Sequence, residues 1–398
     1  MGDRLKYPLG QQSFRCIREE GKVYIDKTQF IPLLLENKFY FLSRPRRFGK
    51  SLFLSVLENF FLGRRELFKG LAVDSFDWAW EEFPVIRINL AEGDFSSPTG
   101  LTERLIEIAE ELESKFKISP VGPTPRARFR NIILNLTERL GKGVVVLIDE
   151  YEKPLLDTLD KGHHENFKEL LSDFYSVFKG NEEHIRFLFM TGVTRFGHLN
   201  IFSGFNNITD ISLDERYTAI CGITENEVKT YLREGITKLG KKLNVDEETA
   251  LAELKSNYDG YHFSEDLTDI YNPYSLLSAL ESGKMEDIWS LTGNSTFLLK
   301  QLQKVDFNLF ELEGVVAHSN TLKGIEPDFT DPITLLYQSG YLTIKSYDSS
   351  HKLYTLGVPN QEVATALYKS VIPFYLGNNS NHSPTDYVDM RKWAVSSL

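Results

Sequence analysis

Hydrophobic residues along this chain fall into short blocks set apart by charged stretches, and the spacing inside each block predicts an element. Residues 39–42, Phe-Tyr-Phe-Leu, form a solid apolar run of strand length. A basic stretch, SRPRRFGKS at 43–51, separates it from LFLSVLENFFL at 52–62, which is apolar on nearly every side and free of Gly and Pro. That composition predicts a helix buried in a layered domain. PVIRINL at 84–90 alternates like a strand, and 101–116 carries Leu101, Leu105, Ile108 and Leu112 at helical spacing. A Pro/Gly-rich break, SPVGPTP, precedes a second amphipathic helix at 126–140. The β-branched run in GVVVLIDEYEKP predicts a strand that ends in acids. A helix near 164–179 leads to a fourth strand in HIRFLFMTGVTR, and NNITDISL predicts a fifth. Strands alternating with helices imply an α/β fold with a mostly parallel sheet covered on both faces.

The pattern changes near residue 223. Thr224 and Glu227 have capping-box spacing at the head of a helix, and helical segments dominate to about residue 340. A helix at 331–338 and two alternating runs, GYLTIKSY and KLYTLGV, then suggest a winged-helix-like element. We therefore expect two domains, 1–222 and 223–398, with no internal repeat and no low-complexity tract.

Composition narrows the class. Of 398 residues 41% are hydrophobic and 25% charged, ordinary for a globular protein. The net charge of −11 argues against a whole-protein embrace of nucleic acid or anionic lipid, though not against a local basic patch. Cys16 and Cys221 are the only cysteines, which fits a reducing compartment. The start, MGDRLKYPLGQQ, lacks the apolar run of a secretory signal, and Val144–Ile148 is far too short to span a bilayer. A cytoplasmic protein without membrane association is expected.

The chemistry begins at Gly49-Lys50-Ser51, the closing residues of a phosphate-gripping loop. The full pattern G-x-x-x-x-G-K-[ST] places a glycine five residues before Gly49, where this chain has Arg44. A magnesium-bound triphosphate needs backbone N–H groups and a cation, a hydroxyl for the metal, and an acidic partner behind it. The helix after the loop offers N–H groups and the positive end of its dipole. Lys50 can reach the phosphates, Ser51 can ligate Mg²⁺, and Gly49 lets the backbone approach. Asp149 and Glu150, at the carboxyl edge of the sheet, would hold the metal and activate the attacking water. Phe48 and Leu52 complete the run of loop residues expected around the nucleotide. Arg44, Arg46 and Arg47 are read either as phosphate contacts or as groups that pair with surface acids, with at least one expected near the phosphates. Pro45 is expected to preset the altered loop. At the tip of the fourth strand Thr191 or Thr194 can sense the γ-phosphate, and Arg195 can stabilise transition-state charge, against the alternative of a capping threonine and a surface arginine. Other features are read as structural: Asp26-Lys27-Thr28 as a cap with an ion pair, Tyr258–His262 as an aromatic turn around Gly260, His163-His164 as a polar loop, and Arg126, Arg128 and Arg130 as a solvated helix face.

Taken together, "YIDKT" at 24–28, "RPRRFGKSL" at 44–52, "LFKGL" at 67–71, "LIDEYEKPL" at 147–155, "FSGFNNITDISLD" at 202–214, "YDGYHF" at 258–263 and "YNPYSLLSAL" at 271–280 resemble the bacterial AAA-ATPase-like family. In that family RPRRFGKS is the usual loop, so the resemblance makes Arg44 a family trait. It implies a P-loop NTPase core of the additional-strand type followed by a helical, winged-helix-like lid. It carries over Lys50 and Ser51 as phosphate and Mg²⁺ residues and Asp149 and Glu150 as the acidic pair. Family members often add a C-terminal nuclease-like domain of the PD-(D/E)xK type. No Glu-x-Lys strand signature follows residue 360, so we expect either a piece of a longer protein or a member without that domain, and no nuclease activity. The expected function is slow, Mg-dependent ATP hydrolysis acting as a conformational switch. The alternatives are a nucleotide-responsive interaction module without turnover, or a DNA-binding component of a defence or mobile-element system. Self-association is a further expectation, because ATPases of this class often borrow a neighbour's arginine.

Overall fold

The computed structural model describes residues 6–195, 208–289, 312–324 and 332–375. Five parallel strands make the central sheet: β1 (Phe39–Ser43), β2 (Val85–Asn89), β3 (Val144–Asp149), β4 (Ile185–Gly192) and β5 (Thr209–Asp210). Their spatial order is β2-β3-β4-β1-β5. The acidic strand β3 is therefore not beside β1, because β4 lies between them. That separation leaves room at the carboxyl edge between the loop after β1 and the acids after β3. All six positions of β3 are buried, as a strand covered on both faces requires.

The helix Lys50–Phe61 packs on β3 and β4. Its polar Asn59 and Ser55 are buried yet bonded: Asn59 Nδ2 donates to the Ser55 carbonyl at 2.7 Å, and the Ser55 hydroxyl accepts from the Phe14 N–H at 3.0 Å. Helices Gly100–Phe116 and Pro125–Leu140 are tied by Arg128, which pairs with Glu110 and Glu113. Arg128 is buried with Glu113, so it is not part of a solvated face. The sequence pattern marked the helix but not the neighbour that turns one of its charges inward.

Beyond Gly222 a second core begins. The short antiparallel pair β6 (Ile223–Thr224) and β7 (Ile270–Tyr271) accompanies helices Glu225–Tyr231, Arg233–Leu243, Glu247–Tyr258 and Pro273–Ser282. Val228, Leu232, Ile236, Leu254 and Leu276 fill its interior. Both halves of the Thr224–Glu227 capping box form. Glu227 also takes the buried ammonium of Lys27 at 2.7 Å, clamping this unit to the segment before β1. The last described part holds β8 (Val315–His318), helices Ser319–Lys323 and Pro332–Ser339, then β9 (Thr343–Asp348), β10 (Leu353–Gly357) and helix Gln361–Tyr375. β8, β10 and β9 form an antiparallel sheet. Its buried Ile344 and Leu356 join the main core, not the second one. Tyr261 and Phe263 make that connection, packing edge-on against Phe48 of the loop at 4.8 and 5.3 Å. Gly260, with φ +81°, sets the turn, and a Cβ there would lie 2.4 Å from the Pro359 carbonyl oxygen.

Candidate functional site

The loop starts inside the sheet. Arg44 N–H donates to the Gly192 carbonyl at 3.1 Å, so residue 44 still belongs to the β1–β4 ladder and needs no left-handed backbone. The turn is made later, at Arg47 (φ 67°) and Gly49 (φ 95°). A Cβ on Gly49 would meet nothing within 4 Å, so glycine is required there by its backbone angle and not by crowding. Displacing the turn in this way explains how the pattern tolerates an arginine in place of the first glycine.

Arg44 itself departs from expectation. Its guanidinium is buried, donating to the carbonyls of Ser43 (2.9 Å), Ser212 (2.7 Å) and Tyr217 (3.2 Å) and stacking 4.2 Å from the Phe263 ring. Loss of water pulls its pKa down, to about 10. This side chain fastens the loop to the chain beyond β5 and does not line the cleft on the loop's other side. Phe48 is likewise an anchor, wholly buried against Tyr261 and Phe263.

The other side of the loop is open. Arg46, Arg47, Gly49, Lys50, Ser51 and Leu52 line a cleft of about 510 Å³ together with Glu150 and Lys153. Lys50 Nζ curls back to the carbonyls of Arg44 (2.9 Å) and Pro45 (3.0 Å), placing its charge inside the bow of the loop. The segment Pro8–Gln12 and the helix residues Pro273, Tyr274 and Leu277 close the cleft from outside the sheet. Arg47 lies over the Tyr274 ring at 4.0 Å, a cation–π contact from loop to second core. Beside the cleft, and sharing Pro8, Gly49, Leu52, Pro273 and Leu277 with it, lies an apolar hollow of about 80 Å³ walled by Tyr24, Ile25 and Ile223.

Asp149 and Thr191 occupy adjacent strand ends, and both are buried. The Thr191 hydroxyl donates to Asp149 Oδ1 at 2.8 Å, which fixes the carboxylate and ties the tips of β3 and β4 together. Thr191 thus acts on Asp149 through a hydrogen bond. Glu150 follows in a left-handed backbone conformation, φ 50°, that turns the chain out of the strand. Arg195 is not on this side. It pairs with Asp210 on β5, its N–H donates to Gln338 Oε1 at 2.9 Å, and it lines a separate cavity of about 30 Å³ behind the loop with Arg44 and Phe263. The expected transition-state arginine is held away from the cleft by an ion pair whose acid the β4 sequence gives no hint of.

Two residues escaped the sequence reading. Glu152 is buried, and its Oε1 accepts from the N–H groups of Val193 (2.5 Å) and Thr194 (3.3 Å). Burial, with Glu150 nearby, pushes its carboxyl up to about 7. Lys153 reaches the cleft from the turn after the acids. Counting acids up to the end of the hydrophobic run stopped at Glu150 and passed over both. Among the described residues no group of three or more acidic, His or Cys side chains is arranged to hold a metal ion.

The AAA-ATPase-like family, described as a predicted AAA-ATPase, matches residues 8–202. An "Uncharacterized protein in vnfD 5'region" from Azotobacter chroococcum mcd 1 is 36% identical over 379 residues, 94% of this chain and 71% of the relative. The chain belongs to the predicted AAA-ATPase-like family. The family match spans the whole loop, the acids after β3 and the tip of β4, while the longer alignment continues through the second core. The ORC2 protein of Aeropyrum pernix, solved as ADPNP–ADP complexes, overlaps 100% of this chain and 97% of its own at 10% identity. Its TM-score is 0.33. Within the described residues no helix is long and apolar enough to cross a membrane.

Proposed function

We propose that this AAA-ATPase-like protein binds ATP with Mg²⁺ and hydrolyses it slowly, using the cycle as a conformational switch. The observation that carries the reading is the single cleft into which Lys50, Ser51 and Glu150 all open at the N-terminus of a twelve-residue helix. Lys50 leaves the loop carbonyls to meet the β- and γ-phosphates, and Arg46 and Arg47 add charge at the mouth. Ser51 and Asp149 offer only hard oxygen donors, the chemistry Mg²⁺ takes and soft metals do not. Bound there, the ion supplies Lewis-acid stabilisation of the phosphoryl oxygens. Glu150 orients and deprotonates the attacking water, and Thr191 holds Asp149 in place. The apolar hollow beside Gly49 suits the base. The nucleotide then touches the sheet edge, the segment before β1 and the helix Pro273–Ser282 at once, which is how its loss would release the second core. The order β8, helix, helix, β9, β10 supports a winged-helix reading of the last part.

Phosphate release from Mg-ATP tests this. Wild type should release phosphate slowly, Lys50→Ala roughly 100-fold less, and Glu150→Gln should bind ATP with comparably little release. Equal release from wild type and Lys50→Ala would sink the reading. One observation favours a second reading, a nucleotide-responsive module without turnover: Arg195, just beyond β4, is engaged with Asp210. Tight ATP binding with turnover no greater than that of Glu150→Gln selects it.

A further inference from the structure

With Arg44 spent on carbonyls and Arg195 paired behind the loop, the γ-phosphate side of the cleft needs another source of positive charge. Arg46 and Arg47 belong to the loop, and Arg47 is drawn toward Tyr274. Lys153 is differently placed. Its N–H donates to the Glu150 carbonyl at 3.0 Å, so its backbone is fixed one turn beyond the residue assigned to the attacking water. Its side chain lines the same cleft as Lys50 and Ser51. A lysine ammonium rides on a flexible four-carbon stem, long enough to sweep the space in front of Glu150.

What holds Lys153 now is weak. Its ammonium pairs with Asp157 one helical turn on, and both side chains are partly exposed. The lysine is N-terminal to its acid, the less favourable order on a helix, and the helix is only four residues long. Such a pair contributes little, far less than a charge-assisted contact to phosphate in a partly desolvated cleft. The ammonium can therefore change partner when an anion arrives.

We propose that Lys153 is a γ-phosphate-binding residue: on triphosphate binding it leaves Asp157 and contacts the terminal phosphoryl oxygens, supplying from within the chain the charge that Arg195 does not. The inference rests on the nucleotide reading above. Titrations with Mg²⁺ plus a non-hydrolysable ATP analogue, and with Mg²⁺ plus ADP, test it on wild type, Lys153→Ala and Lys153→Arg. Lys153→Ala should weaken analogue binding about tenfold and leave ADP within about twofold, its unchanged ADP affinity also reporting an intact fold. Lys153→Arg should recover most of the preference for the triphosphate. An unaltered analogue-to-ADP ratio in Lys153→Ala, or equal loss of both ligands, overturns the proposal and leaves the nucleotide site standing. Wild type that binds neither ligand removes the nucleotide reading, and this assignment with it.

Discussion

The two sides of the loop after β1 follow different rules. On one side Arg46, Arg47, Gly49, Lys50 and Ser51 face an open cleft with few partners among themselves. On the other, Arg44 and Phe48 are sealed against residues just beyond β5 and against the YDGYHF segment. A loop of this type is usually described by its ligand. Here the departures from the glycine-rich pattern lie on the side that faces protein. The open side keeps the residues a phosphate would need, and the sealed side records which neighbours the loop must move with. Substitutions should separate the two: those on the sealed side should be read in stability, those on the open side in ligand binding.

The largest effect is expected at Phe48. Its ring is fully buried between Tyr261 and Phe263, so Phe48→Ala should cost about 3–5 kcal/mol in chemical denaturation. Arg44→Ala comes next, at about 3 kcal/mol, because it strips donors from the carbonyls of Ser43, Ser212 and Tyr217 and opens a gap beside Phe263. If Arg44→Ala unfolds at the same denaturant concentration as wild type but loses nucleotide affinity, the division between the two sides is wrong.

How much of this was legible beforehand follows from sequence distance. The sheet, the loop helix and the strand ending in Asp149 show in local periodicity, because each element buries its own contiguous residues. Lys50, Ser51 and Glu150 could be placed in one cleft because each sits within a residue or two of a strand end or helix start, and the parallel sheet brings those ends together. Arg44 could not be placed, since two of its three partners lie 168 and 173 residues away and all are backbone carbonyls, which carry no side-chain signature. Arg195 failed for a similar reason: Asp210 and Gln338 reach it through packing that no spacing rule describes. Glu152 was hidden by its company, since Glu-Tyr-Glu after a strand reads as a solvated turn until Tyr151 and Glu152 are both found buried.

Glu152 gives a test confined to the floor between β3 and β4. Its folded-state pKa, about 7, lies above the ordinary 4.5, so the native state holds the proton more tightly than the unfolded chain does. The resulting stabilisation is fully present below about pH 4.5 and is lost as pH rises through 7. A shift of that size corresponds to about 3 kcal/mol. Asp259 and Glu362, also raised to about 7 by burial, contribute the same sign, so the wild-type slope alone does not isolate one group. The difference between wild type and Glu152→Gln does. Glu152→Gln should gain on wild type as denaturation is repeated from pH 5 to pH 8, and a difference that stays flat across that window would remove the buried-acid account.

The smallest stability effect, and the sharpest use of the comparison, is expected at Arg47. It is exposed, adopts φ 67°, and its guanidinium lies over the Tyr274 ring at 4.0 Å. Removing the cation–π contact costs about 0.5–1 kcal/mol at such an exposed site. Arg47→Gly also relieves the left-handed backbone, worth about 1 kcal/mol, so the two changes nearly cancel and its stability should match wild type. Arg47→Ala keeps the strain and loses the contact, so it should fall slightly below Arg47→Gly. Both should weaken ATP binding severalfold, by the same factor, because both delete the same charge at the cleft mouth. Were the glycine variant to lose as much stability as Arg44→Ala, Arg47 would belong to the sealed side, and the loop would have no face reserved for a ligand.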